Sequence, residues 1–317
     1  MSGFAYRVAE GKAERVDIAA AMEATGELIW IHLTSNDEQA QSWLGETAGL
    51  PDYVVDVLTT TESRPRCDAL GEGAFLNLRG RSNEEMTASD PLASVRIYAV
   101  AGRVFSVTRR TLTAVADVVT SVEGGTIADP GDLIAEFASA ITEELDPEVG
   151  ELGDELDDCE ADLDADKVFE LRRKVTKVRS TAIGYRRFVQ PQRAALEKLA
   201  ALPCDWLHDD DRLHLAAAAD RAARMAEELE SIRERSALIH ETLTDLRAEQ
   251  LDTRGLVISI AAMVFLPLTF LTGLYGMNVA HLPYAQEPWA FDAICGICAA
   301  LSAGVVIYFM QRHWFGR

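Results

Sequence analysis

Residues 1–131 alternate two hydrophobic patterns, one typical of strands and one typical of amphipathic helices. Runs rich in β-branched and aromatic residues predict strands at Leu28–Leu33, at Phe75–Gly80 and in a hairpin over Ser94–Arg110. Apolar residues three and four positions apart predict helices at Asp37–Ala48, Pro51–Thr60 and Leu112–Val122. Because strands that alternate with helices are typical of layered α/β folds, we expect one cytoplasmic α/β domain over this region.

Residues 132–208 change to the pattern of long helices, in which apolar residues recur at three- and four-residue steps along two seams. The first seam consists of Leu145, Val149, Leu152, Leu156, Cys159 and Leu163. The second consists of Val168, Leu171, Val175, Val178, Ala182, Tyr185 and Val189. A turn near Asp164–Asp166 would fold the two helices into an antiparallel pair.

The two predicted helices carry opposite charge. Fourteen acids and one lysine lie between Glu143 and Glu170, whereas Arg172–Arg187 contains seven bases and no acid. In an antiparallel pair these faces would attract each other, and the complementary charge would set their register. Two independently solvated faces explain the same pattern, so both interpretations stay open.

A third helix is predicted from Asp209–Asp211 onward, after the helix breaker Leu202-Pro203. Carboxylates favour a helix N-terminus, and no Pro or Gly interrupts the pattern before Gly255. We therefore expect residues 209–255 to form a stalk helix that continues into the apolar segment behind it. At 1.5 Å per residue such a helix would extend about 100 Å by Tyr275, so we expect it to pack against other copies of itself.

Two apolar runs near the end of the chain have the length of membrane spans. Leu256–Tyr275 contains twenty residues without a charge, and a second apolar run follows at 291–311. About 20 residues cross the ~30 Å of hydrocarbon in a bilayer, while two buried core helices are the alternative. The connector 276–290 has no Lys or Arg, whereas basic residues flank both runs on their other sides. The positive-inside rule therefore predicts cytoplasmic termini, including the tail 312–317, and an outward-facing connector.

One face of the first span is small or polar. Steps of three and four residues from Asp252 meet Gly255, Ser259, Ala262, Leu266, Thr269, Gly273 and Gly276. Asp245 and Glu249 continue the same face toward the N-terminus. Small residues permit close helix packing in lipid, or they line a water-filled path in which hydroxyls and carbonyls replace water around a cation. The acids on this face favour the path, which several copies around a symmetry axis would enclose.

Composition limits the function further. The chain has 317 residues and a formal net charge of −21, so we expect no nucleic-acid partner, because phosphate binding needs clustered bases. Five scattered cysteines and the lack of an N-terminal apolar core of signal-peptide length fit a mainly cytoplasmic chain. The sequence contains no Walker-type phosphate loop, zinc-protease motif or nucleophile elbow. We therefore expect neither an enzyme nor a resident cofactor.

The end of the first span carries a recognisable motif. The stretch FLPLTFLTGLYGMN, which ends in Gly276-Met277-Asn278, resembles the signature of the CorA-type divalent metal ion transporters. The order of an α/β domain, a helical pair, a stalk helix and two C-terminal spans is similar to that family over the whole chain. This resemblance implies an α+β membrane protein that assembles as a funnel-shaped homopentamer in the inner membrane and transports a divalent cation.

The resemblance also implies roles for individual residues. Gly276, Met277 and Asn278 would form the outer mouth, where the Asn278 amide oxygens hold the water shell of the metal ion. The polar face from Asp252 to Gly273 would line the pore, with Asp252 near its cytoplasmic opening. A structural alternative stays open, in which Asn278 caps the turn and Gly276 supplies a positive φ.

Within the family, LPLTFLTGLYGMNVAHLP, the C-terminal HWF and the stretch Glu62-Ser63-Arg64-Pro65-Arg66 are similar to the zinc-transporting ZntB branch. The intact Gly-Met-Asn triplet departs from that branch, which often varies it. The similarity implies transport of Zn²⁺, with proton coupling as one option, while a Mg²⁺ or Co²⁺ channel is the alternative. His281 and Glu287 in the connector would help to attract the cation.

A membrane-anchored scaffold or sensor is the second class of function that the sequence allows. Its spans would only hold a cytoplasmic binding domain at the membrane. Such an anchor has no need of a polar face with Ser259, Thr269 and Asp252, so the sequence favours transport.

Overall fold

The computed structural model describes residues 2–34, 38–61, 64–82, 92–277, 283–284 and 287–311. The chain forms two compact units, one built from residues 1–163 and 169–240 and the other from residues 164–168 and 241–317. The first unit contains the α/β domain and long helices, which confirms the predicted fold class for that part of the chain. The second unit contains two long apolar helical segments.

The described residues form seven strands and eight α-helices. The strands are β1 (Ser2–Ala9), β2 (Lys12–Val16), β3 (Leu28–Thr34), β4 (Arg66–Leu70), β5 (Gly73–Arg81), β6 (Leu92–Val100) and β7 (Arg103–Thr108). The helices are α1 (Ile18–Ala21), α2 (Glu38–Ser42), α3 (Asp52–Thr59), α4 (Ala114–Glu123), α5 (Pro130–Ala161), α6 (Val168–Ala200), α7 (Asp209–Tyr275) and α8 (Ala290–Gln311). A π-helical turn, Trp43–Thr47, extends α2, and a 3₁₀ turn, Ala165–Lys167, separates α5 from α6.

The strands form one sheet in the order β2-β1-β3-β7-β6-β5-β4, in which only the central pair β3 and β7 is parallel. The predicted hairpin of β6 and β7 is confirmed, with Gly102 at φ 75° in its turn. The hairpin of β1 and β2 was missed by the sequence analysis. It turns at Glu10 and Gly11, both with positive φ, as a two-residue turn between twisted strands requires.

Helices cover both faces of the sheet. On one face, Ile31 and Phe105 pack in a common core with Leu44 and Leu58 of the segments around α2 and α3. On the other face, Trp30 meets Phe137 of α5 edge to face, with ring centroids 5.7 Å apart. Because both faces are covered, six successive residues of β3 are buried.

A short polar chain crosses this core. The indole N–H of Trp30 donates to Ser106 Oγ at 2.8 Å, and the same oxygen lies 2.8 Å from His32 Nδ1. The Ser106 hydroxyl thus contacts both Trp30 and His32, and on the other side of the imidazole ring Nε2 lies 3.4 Å from Thr108 Oγ1. Burial lowers the pKa of His32 to about 4, so the ring is neutral in the folded protein.

The seams of the predicted helical pair are buried, apart from Leu163, which is half-buried. The hydroxyl of Tyr185 in α6 donates to Glu148 Oε2 in α5 at 2.6 Å. Cys159 near the end of α5 lies close to Lys174 near the start of α6. Along α5 the order of these contacts is Glu148 and then Cys159, whereas along α6 it is Lys174 and then Tyr185. The two helices are therefore antiparallel, as predicted.

Much of the charge that the sequence places on this pair is met by α7 rather than within the pair. Ion pairs join α5 and α6 to the first part of α7. They are Arg235 with Asp157 and Glu160, both at 2.5 Å, Arg221 with Glu143 at 3.1 Å, and Arg186 with Glu230 at 3.0 Å. Helix α7 therefore supplies counter-charges to both the acidic helix α5 and the basic helix α6.

The seam of α7 is buried through Leu243, including Ala222, Met225 and Leu229. The helix begins at Asp209, where the sequence analysis expected it, and has three aspartates in its first turn. Beyond Leu243 its predicted seam is only partly covered in the single chain, and Val257 is 56% exposed.

Acid should weaken the fold through His32. A pKa lowered from the ordinary 6.5 to about 4 means that the unfolded chain takes up a proton more readily than the folded one. The stabilising contribution is therefore complete above pH 6.5 and is lost as the pH falls toward 4, at up to about 1.4 kcal/mol per pH unit. We expect His32→Gln to make the thermal midpoint of the detergent-solubilised chain less sensitive to pH in this window.

The matched control is His214→Gln, because His214 is exposed on α7. That variant should keep the pH dependence of the parent chain when both are followed by circular dichroism. If the thermal midpoint changes with pH equally in His32→Gln and in the parent, the buried imidazole does not stay neutral on folding.

Candidate functional site

The second unit contains two helical segments that are long and apolar enough to cross a membrane. Both the C-terminal part of α7 and α8 contain an 18-residue window with a mean hydropathy of 2.2. Within the chain, 0% of the α7 window and 6% of the α8 window are buried. A core helix would be covered by its own domain, so this exposure favours membrane spans over the alternative of buried core helices. The second span carries one charged residue at its N-terminal end, Asp292 in the first turn of α8.

One side of the first span is partly covered. The half-buried positions, spaced three and four apart, are Leu256, Ile260, Val264, Leu268, Leu271 and Tyr275. On α8 the more covered positions follow the same spacing and include Cys298, Ser302 and Phe309. Met263 shares an apolar groove with Ile297, Leu301 and Tyr308. These observations place α8 beside the partly covered side of α7.

The predicted pore-lining residues lie on the opposite side of α7 from this covered stripe, given ~100° of rotation per residue. All are exposed in the single chain: Asp252, Gly255, Ser259, Ala262, Leu266, Thr269 and Gly273. The structure thus brings them together along one uncovered side of one helix. Packing against α8 does not account for their small size, because α8 packs elsewhere.

The hydroxyl groups on this side have a defined orientation. Ser259 Oγ donates to the Gly255 carbonyl at 2.8 Å, and Thr269 Oγ1 donates to the Phe265 carbonyl at 2.6 Å. Their protons are therefore directed to the helix backbone. The lone pairs of both oxygens remain as acceptors on the exposed side, which suits water or a hard cation.

Pro267 interrupts the backbone hydrogen bonds of the first span. Proline has no amide hydrogen, so it cannot donate to the carbonyl of Met263 one turn earlier. In a membrane such a carbonyl is tolerated where neighbouring protein or water meets it rather than lipid.

The C-terminal end of the first span is described as far as Met277. Gly276 donates its N–H to the Thr272 carbonyl at 2.9 Å and lies outside the positive-φ region, so the alternative of a positive φ at Gly276 is wrong. A Cβ at this position would lie 3.0 Å from that carbonyl oxygen, which favours glycine for reasons of space. Met277 is 53% exposed. Asn278 and His281 lie outside the described residues.

The acids proposed to attract cations are exposed. Asp245 and Glu249 lie on α7 before the span, and Glu287 lies in the connector. Next to Glu249, the side chain of Gln250 donates to the carbonyl of Ala165 in the turn between α5 and α6. The second unit therefore joins that turn to the segment of α7 that precedes Asp252.

Three side chains of metal-ligating type, Asp129, His208 and Asp211, lie close together in the first unit, where α5 and α7 begin. His208 Nδ1 lies 2.9 Å from Asp129 Oδ2 and 3.8 Å from Asp211 Oδ2. One imidazole and two carboxylates form a donor set that suits Zn²⁺. Burial raises the pKa of Asp211 to about 6, and this side chain is almost fully covered.

Local hydrogen bonds also account for this group. Asp129 caps α5 by accepting from the amides of Gly131 and Asp132, at 2.7 and 3.0 Å. Asp211 accepts from the backbone N–H of His208 at 2.7 Å. The sequence analysis missed the group, because Asp129 is remote in sequence from the other two residues and their spacing matches no metal motif.

Comparison with known proteins agrees with this architecture. A family model described as "CorA-like Mg2+ transporter protein" matches residues 25–312. The zinc transport protein ZntB of Yersinia enterocolitica serotype O:8 / biotype 1B is 30% identical over 313 residues, which cover 98% of this chain and 95% of that protein.

Two solved full-length structures are also similar. The CmaX protein matches with a TM-score of 0.78 and 29% identity, covering 99% of this chain and 98% of that one. The CorA magnesium transporter from Methanocaldococcus jannaschii matches with a TM-score of 0.79 and covers 98% of each chain. At 16% identity, the second match shows a shared fold.

These matches extend over the α/β domain, the long helices and both apolar C-terminal helices, and they confirm the resemblance seen in the sequence. The chain belongs to the CorA-like Mg²⁺ transporter family.

Proposed function

We propose that this chain transports divalent cations across the cell inner membrane, with Zn²⁺ as the principal ion, through a pore on the axis of a homopentamer. Membership of the family supports cation transport. The relative named as a zinc transport protein, similar over nearly the whole chain, supports zinc.

One observation carries the proposal: the side of α7 with Ser259 and Thr269 is uncovered and lies opposite the side that packs near α8. A helix that only anchors a domain would be apolar all round. An uncovered small and polar side needs either other copies of the same helix or water. Five first spans around an axis would meet both needs, with α8 as an outer ring.

The proposed path begins outside at Gly276, Met277 and Asn278. A ring of Asn278 amide oxygens would hold a cation that keeps its water shell, and His281 and Glu287 would help to attract it. The ion would then pass Gly273, Thr269, Leu266, Ala262, Ser259 and Gly255. Asp252 would receive it at the cytoplasmic end, with Glu249 and Asp245 beyond.

The same proposal assigns segments and orientation. Residues 1–131 would form the cytoplasmic α/β domain, 132–208 the helical pair and 209–255 the stalk. Residues 256–275 and 291–311 would span the bilayer, joined by the outward-facing connector 276–290. Both termini, including residues 312–317, would lie in the cytoplasm, because the connector carries no Lys or Arg.

Reconstitution into liposomes tests the proposed substrate. With a fluorescent indicator enclosed, we expect Zn²⁺ entry to exceed Mg²⁺ entry and to respond to an imposed pH gradient if protons are coupled. Preference for Mg²⁺ or Co²⁺ would instead assign the chain to the alternative of a CorA-type channel. If no divalent ion crosses while the protein is inserted and assembled, the membrane-anchored scaffold is the correct class.

Removing the amide at the proposed outer mouth should strongly reduce transport. We expect Asn278→Ala to reduce Zn²⁺ uptake by tenfold or more, since the loss of even one charge-assisted hydrogen bond to the hydrated ion costs about 1.5–3 kcal/mol. The oligomeric state, measured by size-exclusion chromatography with light scattering, should not change. Asn278→Asp keeps an oxygen at this position and should retain measurable flux. Uptake at the parent rate by Asn278→Ala would remove Asn278 from the path.

Narrowing the polar side should also reduce transport. Thr269→Leu replaces an exposed hydroxyl by a branched apolar group, so we expect a large loss of flux, whereas Thr269→Ser keeps the oxygen and should transport. The matched control is Val257→Leu, which adds bulk to an exposed position of the same helix on the side away from the proposed path. Similar losses in Thr269→Leu and Val257→Leu would indicate general disturbance of the span rather than a blocked pore.

A further inference from the structure

The first unit contains a basic cavity that no part of the proposed transport uses. Its volume is about 710 Å³, within the range of small-molecule sites. It lies between the segment that leads into β4 and the C-terminal half of α6. The stretch Arg64-Pro65-Arg66, noted in the sequence analysis, forms one wall, and Arg186, Arg187 and Lys198 belong to the other.

The charge of this cavity is opposite to that of the chain. Overall the protein has 30 basic and 51 acidic residues, whereas the cavity is lined by the five bases just named and a single acid, Asp68. Asp68 lies 3.0 Å from Lys198 Nζ and 3.5 Å from Arg66 Nε. Glu230, which lies outside the lining, pairs with Arg186 at 3.0 Å. Two carboxylates against five cations leave the cavity with a positive potential in an otherwise acidic protein.

Several of the basic groups are held in position. Asn77 Nδ2 donates to the Arg64 carbonyl at 2.8 Å, and Arg66 pairs with the same Asn77 in the register of β4 and β5. Arg186 is oriented by Glu230 at 3.0 Å. The first two contacts fix the backbone of Arg64 and Arg66, whereas the ion pair fixes the side chain of Arg186, which therefore loses less side-chain entropy when it binds a ligand than a free surface arginine does.

Apart from Gln190, most of the remaining surface of the cavity is apolar. Phe188 lies between the basic residues in sequence, and the guanidinium of the buried Arg79 lies 3.9 Å from the centroid of its ring. Pro65, Pro191 and Ala195 complete this surface. A ligand that fills the cavity therefore has both a multiply charged anionic part and a flat apolar part.

We propose that this cavity binds a nucleoside polyphosphate. Guanidinium groups match phosphate oxygens in paired hydrogen bonds, and Arg64, Arg186 and Arg187 would hold the phosphates. The base would lie against Pro65, Pro191 and the edge of Phe188, because the guanidinium groups of Arg79 and Arg187 already lie over the Phe188 ring, 3.9 and 5.6 Å from its centroid. The cavity is too large for inorganic phosphate alone, and its apolar wall gives no advantage to a purely acidic peptide.

Calorimetric titration of the full chain in detergent with ATP tests this proposal, with EDTA present so that no metal ion bridges ligand and protein. We expect one saturable site per chain, with affinity falling from ATP to pyrophosphate to phosphate and weakening at high salt. Arg64→Gln and Arg187→Gln should each weaken ATP binding by about tenfold or more, since each removes a charge-assisted hydrogen bond. Because binding is measured without flux, its outcome is separate from that of the proposed transport.

Arg179→Gln is the matched control, because Arg179 is an exposed arginine of the same helix outside the cavity. It should leave ATP affinity within about twofold of the parent, and all variants should keep the parent thermal midpoint. Absence of ATP binding overturns the proposal, and so does an equal loss in Arg179→Gln. If the cavity variants instead change the oligomeric state, the cavity is an interface between copies of the chain.

Discussion

The apolar surface of the two C-terminal helices is the constraint on which the rest of this molecule depends. Almost none of it is covered within the chain, and exposing it to water would cost about 25 cal/mol for each Å². Hydrocarbon removes that cost but offers no hydrogen-bond partners, so the N–H and C=O groups of the backbone must hydrogen-bond to each other. The hydroxyls of Ser259 and Thr269 follow the same rule by donating to carbonyls of their own helix.

This constraint divides the first span into two sides with different partners. The side near α8 has large apolar residues such as Ile260 and Val264, which are half-buried. The other side has residues too small to shield the backbone, and it leads to Asp252 at the end that precedes the span. Lipid is a poor partner for that second side, which is why its position opposite α8 supports a path shared by several copies.

Net charge is a weak guide to the local surface of this protein. The acids of α5 find their counter-charges largely on α7, through Arg221 and Arg235. Bases of α6 also have acidic partners, such as Glu230 for Arg186 and Asp68 for Lys198, and at the C-terminal half of that helix they line a cavity together with Arg64 and Arg66 from the sheet edge. Clustered bases were not expected from an overall charge of −21, because composition averages over surfaces that the fold separates.

The sequence by itself determined the class of the fold, the seams of the long helices and both apolar segments, because these depend on periodicity along a single helix or strand. It also identified the family from the stretch that ends in Gly276-Met277-Asn278. The sequence patterns did not predict β1 or the two edge strands β2 and β4, since strands with several polar residues are defined by their pairing partners. Only the tertiary structure decided that α7 supplies counter-charges to α5, that Asp129 lies beside His208, and that Arg64 and Arg187 line one cavity. Each of these arrangements brings together residues that are far apart in the chain. A local sequence pattern does not indicate which distant residues come close in the fold.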